Sequence, residues 1–261
     1  MTSAEAPVPP VVTPPLPSQP RSPRAWKFIG TSLWGLVIFA AMFAGQLSVL
    51  AYFVLADPAP FSFDKVTEHA GNGLTIALSV VMGLPMALAA LWIAIRLSGV
   101  PLADYLALRW ISWRHLLLGI VALVVLVLGW EGAFYAMGHE TSAGFMVDVL
   151  KSAQAEGALW LLVIAVCVVA PVTEELLTRG FLYRGWSESV LRPAGAVVLS
   201  SLVWTAMHLQ YDWFFFAEVF SIGLLFGYLR YLSGSILLTV ILHSLNNFAA
   251  MLQTLWIAGQ S

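Results

Sequence analysis

Seven apolar stretches dominate this chain: 26–56, 74–97, 116–137, 158–184, 194–209, 213–229 and 236–257. At 1.5 Å per residue, each is long enough, or nearly so, to cross about 30 Å of hydrocarbon as a helix. Inside lipid the backbone must satisfy its own polar groups, and a helix does so within one segment. Only 10% of the residues are charged and 60% are hydrophobic, against roughly 25% charged in a soluble domain. The expected fold class is therefore all-α: a polytopic transmembrane helix bundle of about seven to eight spans. A reentrant or extra helix in 57–73, 100–113 or 138–157 would change the count.

Three regions follow from the pattern. Residues 1–25 contain eight prolines from Pro7 to Pro23 and read as a disordered, polyproline-like cytoplasmic tail. Residues 26–150 supply the N-terminal transmembrane helices, and 151–261 form a later helix bundle with the unusual polar residues. The first apolar run exceeds the 7–15 residues of a signal-peptide core, so it reads as an uncleaved anchor. Taking the N-terminus as cytoplasmic puts Arg21, Arg24, Lys27, Arg96, Arg109, Arg114, Arg179, Arg184, Arg192 and Arg230 inside, and Lys65 and Lys151 outside. That is a positive-inside bias. The expected location is a multi-pass integral position in the bacterial plasma membrane, with the lipid bilayer as a partner. No basic stripe suggests nucleic acid. The single cysteine, Cys167, lies in an apolar run and reads as a core residue.

The polar exceptions point to function. Pro171-Val-Thr-Glu174-Glu175-Leu-Leu-Thr-Arg179 follows directly on an apolar run, where a carboxylate costs at least ~2.5–3.5 kcal/mol at the bilayer centre. Pro171 should kink this span. Glu175 and Arg179 are four apart and can pair on one face. Glu174, turned by about 100°, is left to point elsewhere. His208 ends the fifth span, and His243 and Asn247 share a face of the seventh. Counted from their helix ends, His243, Glu174 and His208 lie ~13, ~16 and ~21 Å deep, so a common layer is feasible. Asp212 should cap the sixth span, and Gly223 and Gly227 there form a close-packing pair. Tyr211-Asp212 reads as a tight turn. Glu131 and Glu218 also fall in apolar spans, without an evident role.

Together these motifs resemble the CPBP intramembrane proteases, which include the CAAX prenyl endopeptidases and the Abi or bacteriocin-processing proteins. That pattern is Glu-Glu-x-x-x-Arg, Phe-x-x-x-His and His-x-x-x-Asn. Here Glu174-Glu175-Leu-Leu-Thr-Arg179, Trp204-Thr-Ala-Met-His208 and His243-Ser-Leu-Asn-Asn247 match it in order, with Trp204 where Phe is usual. The indole is expected to pack beside the site. The resemblance covers about 158–250.

The resemblance implies an endopeptidase in which Glu174 activates water with His208. His243 and Asn247 stand at the oxyanion, and Glu175 with Arg179 holds the helix. An oxyanion donor is often worth ~3 kcal/mol. Glu174, His208 and His243 are also candidate ligands for a divalent metal such as zinc, leaving one position open. A metal-free glutamate mechanism fits as well, because it keeps a base separate from the ligands. There is no His-Glu-x-x-His and no rhomboid-type serine motif. The substrate is expected to be a peptide or membrane protein. Two other classes remain open on sequence: a non-catalytic immunity or scaffold protein, and a proton-linked transporter.

Overall fold

A computed structural model describes residues 25–139, 144–209 and 212–260. The proline-rich tail, apart from Ala25, and the turn at Tyr211 lie outside them. Among the described residues the chain is a bundle of ten helices without strands. They are α1 Phe28–Ala56, α2 Phe63–Gly71, α3 Gly73–Ser98, α4 Leu102–Tyr105, α5 Trp113–Met137 and α6 Gly144–Ala155. These are followed by α7 Leu159–Ser187 and by α8 Arg192–Ala206, α9 Trp213–Ser233 and α10 Ile236–Ala258. The short helices α2, α4 and α6 occupy the three connections where extra helices were allowed for.

Among the described residues, six helices are long and apolar enough to span a membrane: α1, α3, α5, α7, α9 and α10. The fifth expected span, 194–209, forms α8 of 15 residues. That is roughly 22 Å of helix, short of the hydrocarbon thickness. Its length is set at one end by Pro193 in the first turn and at the other by turns from Met207 onward. Aromatic side chains cluster exposed near helix ends: Trp110 and Trp113 around the start of α5, Tyr135 near its end, and Trp213 and Trp256 on α9 and α10. Such residues favour the membrane–water boundary.

The charges divide between the two ends of the bundle. Lys27, Arg96, Arg114, Arg184, Arg192 and Arg230 lie in first or last helical turns or just outside them, on the side where α1, α5, α8 and α10 begin. Lys65 and Lys151 sit on α2 and α6, toward the other end. Arg179 stands apart from this division, inside α7 with its side chain fully buried.

The centre of the bundle is α7. Its most apolar window is 44% buried, against 11–33% in the other five long helices. Three apolar clusters surround it. One joins α1, α3, α4 and the second half of α7 through Ile38, Met42, Ile95, Tyr105 and Phe181. Another joins α3, α6, α10 and the first half of α7 through Ala77, Leu150, Leu162 and Met251. A third joins α5, α8, α9 and α10 through Leu123, Trp204, Phe226 and Leu242. Lipid-facing positions on α1, such as Leu33, Leu36 and Leu55, are exposed and apolar.

Asp212 caps α9 as its position suggests, accepting from the N–H groups of Phe214 and Phe215 at 2.9 and 3.1 Å. The glycine pair on α9 lets α8 approach. A Cβ at Gly227 would lie 2.8 Å from Val197 Cγ1, and one at Gly223 would lie 3.1 Å from both Ser201 Cβ and Trp204 Cε3. Gly129 on α5 has nothing within 4 Å of that position. Gly227→Val should therefore lower the thermal midpoint in detergent by the equivalent of about 1–3 kcal/mol of overpacking. Gly129→Ala should leave it unchanged or raise it by up to about 1 kcal/mol. Circular dichroism melts of the two variants beside the parent protein check both.

Candidate active site

The site is built on α7, and α7 is irregular on both sides of its acidic residues. Its turns widen to π form over Ala165–Val169 and again over Leu176–Leu182, with a short α segment Ala170–Glu175 between them. Inserted π turns recur at functional sites. The helix runs on through Pro171, which follows the first of these widened turns.

The hydrogen-bond consequences can be followed atom by atom. The N–H of Ala170 reaches back five residues to Ala165 O. Val166 O thereby loses its α-helical donor. In the wider register its donor would be the nitrogen of Pro171, which carries no hydrogen. Asn247 on α10 fills the gap, its Nδ2 donating to Val166 O at 2.9 Å. In the second π stretch the N–H of Tyr183 goes to Thr178 O. Arg179 O, its α-helical partner, accepts instead from Arg230 Nε on α9 at 3.2 Å.

Between the two π turns the adjacent acids face different surroundings. Glu175 is fully buried. Its Oε1 accepts from Arg179 Nη1 at 2.9 Å and from His243 Nδ1 at 3.2 Å. Arg179 is equally buried and donates further to Thr178 Oγ1 at 3.1 Å and, through Nη2, to Gly223 O at 3.0 Å. Its guanidinium stands 4.7 Å from the Trp204 ring centroid. Three helices, α7, α9 and α10, are joined through this one ion pair.

Glu174 keeps 15% of its side chain exposed. Its Oε2 accepts from Trp204 Nε1 on α8 at 2.6 Å and lies 3.9 Å from His243 Nε2. That distance is beyond direct hydrogen-bond reach. An ionised carboxylate only accepts, so Glu175 fixes the proton of His243 on Nδ1. The other nitrogen, Nε2, is then the one turned toward Glu174. This is the arrangement in which one carboxylate orients an imidazole for work at its far nitrogen.

The six candidate residues meet through different contacts. Glu174, Glu175, Arg179 and His243 are joined through direct contacts and the His243 ring. His208 is half-buried at the end of α8, its Nδ1 3.1 Å from Trp204 O. The Trp204 indole meets both imidazoles edge to face, with ring centroids 5.2 Å from His208 and 5.1 Å from His243. Asn247 stands one turn beyond His243, bound to α7.

The glutamate and the two histidines are chemically suited to zinc. Among the described residues, however, no three His, Cys, Asp or Glu side chains are grouped to hold a metal ion. As arranged, the three do not fit a metal, and no chemical step below is routed through one. The residue that sequence reasoning undervalued is Trp204. Its signal was available, because a buried indole N–H usually needs an acceptor.

Residues 156–249 match the family model described as Type II CAAX prenyl endopeptidase Rce1-like. This agrees with the resemblance carried by the three motifs, and the matched segment contains all six candidate residues. No curated protein and no solved structure matches the chain.

The role of Asn247 toward α7 has a direct test. Asn247→Leu leaves Val166 O unpaired in an apolar layer, a loss of about 1–3 kcal/mol. Its neighbour Asn246, half-buried, makes no such bond, and Asn246→Leu should change stability by no more than about 0.5 kcal/mol. Denaturant titration of both variants in detergent compares them.

Proposed function

We propose that this chain, similar over residues 156–249 to the Type II CAAX prenyl endopeptidases, is an intramembrane endopeptidase. In this reading it hydrolyses a peptide bond of a membrane-associated protein or peptide. The observation that carries the proposal is the division of labour between adjacent carboxylates. Glu175 is fully buried and ion-paired, while Glu174 is partly exposed beside His243.

Glu174 acts as general base. It takes a proton from water as the water oxygen bonds to the scissile carbonyl carbon. His243, held through Nδ1–H by Glu175, offers the Nε2 lone pair as an acceptor for the attacking water. Asn247 retains a second side-chain N–H for the developing oxyanion, since Val166 O takes only one. A preorganised donor of this kind supplies a large share of catalysis in a water-poor site. Collapse of the intermediate breaks the C–N bond, and the proton held by Glu174 passes to the leaving amine. His208, against the other side of the Trp204 indole, helps hold the water. Arg179 takes no part in bond making and holds Glu175 in place.

The bundle lies in a bacterial plasma membrane in this reading, with its basic end and N-terminus on the cytoplasmic side. The matched family supports a protease over an immunity scaffold or a transporter. Prenylated or other membrane-anchored peptides are the substrate class suggested by that similarity.

Comparing membrane peptidomes of cells expressing the parent chain or Glu174→Gln tests the proposal. A general base contributes typically 10²–10⁴-fold. A set of fragments should therefore be present with the parent chain and depleted about 100-fold or more with Glu174→Gln at equal protein level. Identical fragment sets would overturn the proteolytic reading.

A further inference from the structure

The motif resemblance has Phe as the usual residue four before the histidine, and this chain has Trp204. Phe would supply a ring. Trp supplies a ring and an N–H, and here that N–H is used: Nε1 donates to Glu174 Oε2 at 2.6 Å. We infer that Trp204 is a positioning residue that anchors one oxygen of Glu174 and so selects the other, Oε1, as the oxygen that meets water. The inference rests on Glu174 being the base, as proposed above.

Three observations support it. First, the donor cannot swing away. Trp204 is 3% exposed, and its ring is enclosed by His208, Phe226 and His243, with centroids at 5.2, 6.1 and 5.1 Å. Second, the Arg179 guanidinium sits 4.7 Å from the ring centroid. A cation on the π face is attracted to the indole and withdraws density from it, which makes the N–H a stronger donor. The contact at 2.6 Å is just under the ~2.7–2.9 Å usual for charge-assisted N–H···O bonds. Third, among the described residues Trp204 is the side chain that donates directly to Glu174, and Oε1 is left without a donor.

The result is a chain of contacts running Glu175–Arg179–Trp204–Glu174. The structural ion pair and the working carboxylate are adjacent in sequence, and beside the His243 ring on α10 a second link between their side chains passes through α8. Substituting a bare ring at 204 keeps the packing and the cation–π contact but cuts the last link. The role therefore differs from packing alone in a measurable way.

Indole N–H spectra of the full-length protein, labelled with 15N-Trp in detergent micelles, test this without a substrate. The chain has 11 tryptophans. One indole N–H signal should lie far downfield and exchange slowly, and it alone should move upfield by a large step in Glu174→Gln. Unchanged indole signals in that variant would overturn the inference.

A second arm uses Trp204→Phe. Its melting midpoint should stay near the parent value, while fragment release falls roughly ten-fold or more, the scale of one hydrogen bond to a charged group. The fall should appear in kcat with KM unchanged. Full activity in Trp204→Phe would reduce Trp204 to packing and overturn the inference. If Glu174→Gln instead releases fragments normally, the proteolytic reading fails, while the spectrum still reports whether the anchor exists.

Discussion

The rest of the site depends on the buried ion pair between Glu175 and Arg179. Both side chains are fully shielded from solvent at a separation of 2.9 Å. Removing two charges from water is expensive, and mutual attraction compensates only when geometry is good and the remaining donors are used. Here Arg179 also reaches the Gly223 carbonyl and Thr178, and Glu175 also receives His243, while Arg179 Nε and Glu175 Oε2 are buried without a partner among the described residues. The pair therefore fixes the relative positions of α7, α9 and α10. Gly223 is part of the same device, because a side chain there would lie 3.3 Å from Arg179 Nη2.

Around that pair, the irregularity of α7 is matched by groups from other helices. Each π turn strips a carbonyl of its usual donor. Asn247 on α10 supplies one replacement and Arg230 on α9 the other. Backbone groups inside a membrane bundle must find partners, so these side chains and the widened turns depend on one another. The α segment held between them carries Glu174 and Glu175 on different faces. One acid is spent on architecture, which leaves its neighbour available for chemistry.

Much of this was legible in the sequence, for reasons that can be stated. Long apolar runs have few alternatives in lipid, so the long helices were readable from hydropathy. The exception is 194–209, where length alone suggested a span and Pro193 with the turns after Ala206 left 15 residues of helix. The Glu175–Arg179 pair was readable because four residues of helix put two side chains on one face. Positions that depend on neighbouring helices were not. His243 has its closer carboxylate contact with Glu175, at 3.2 Å, rather than with Glu174 at 3.9 Å. His208 meets the Trp204 indole, and Asn247 is drawn to Val166 O by a π turn that no periodicity announces. Pro171 was visible, but the π turn just before it was not. Trp204 was seen as a ring, and its N–H proved to be the direct partner of Glu174.

The central claim, that one buried ion pair holds three helices in register, is tested most directly by a double-mutant cycle on Glu175 and Arg179. Stability is measured by denaturant titration in detergent for Glu175→Gln, Arg179→Met and the combination. Each single change leaves an uncompensated polar group or charge and should destabilise by about 3–5 kcal/mol, with the double variant recovering much of that loss. If the two effects simply add, or if either single variant is as stable as the parent, the pair does not organise the bundle and the account is contradicted.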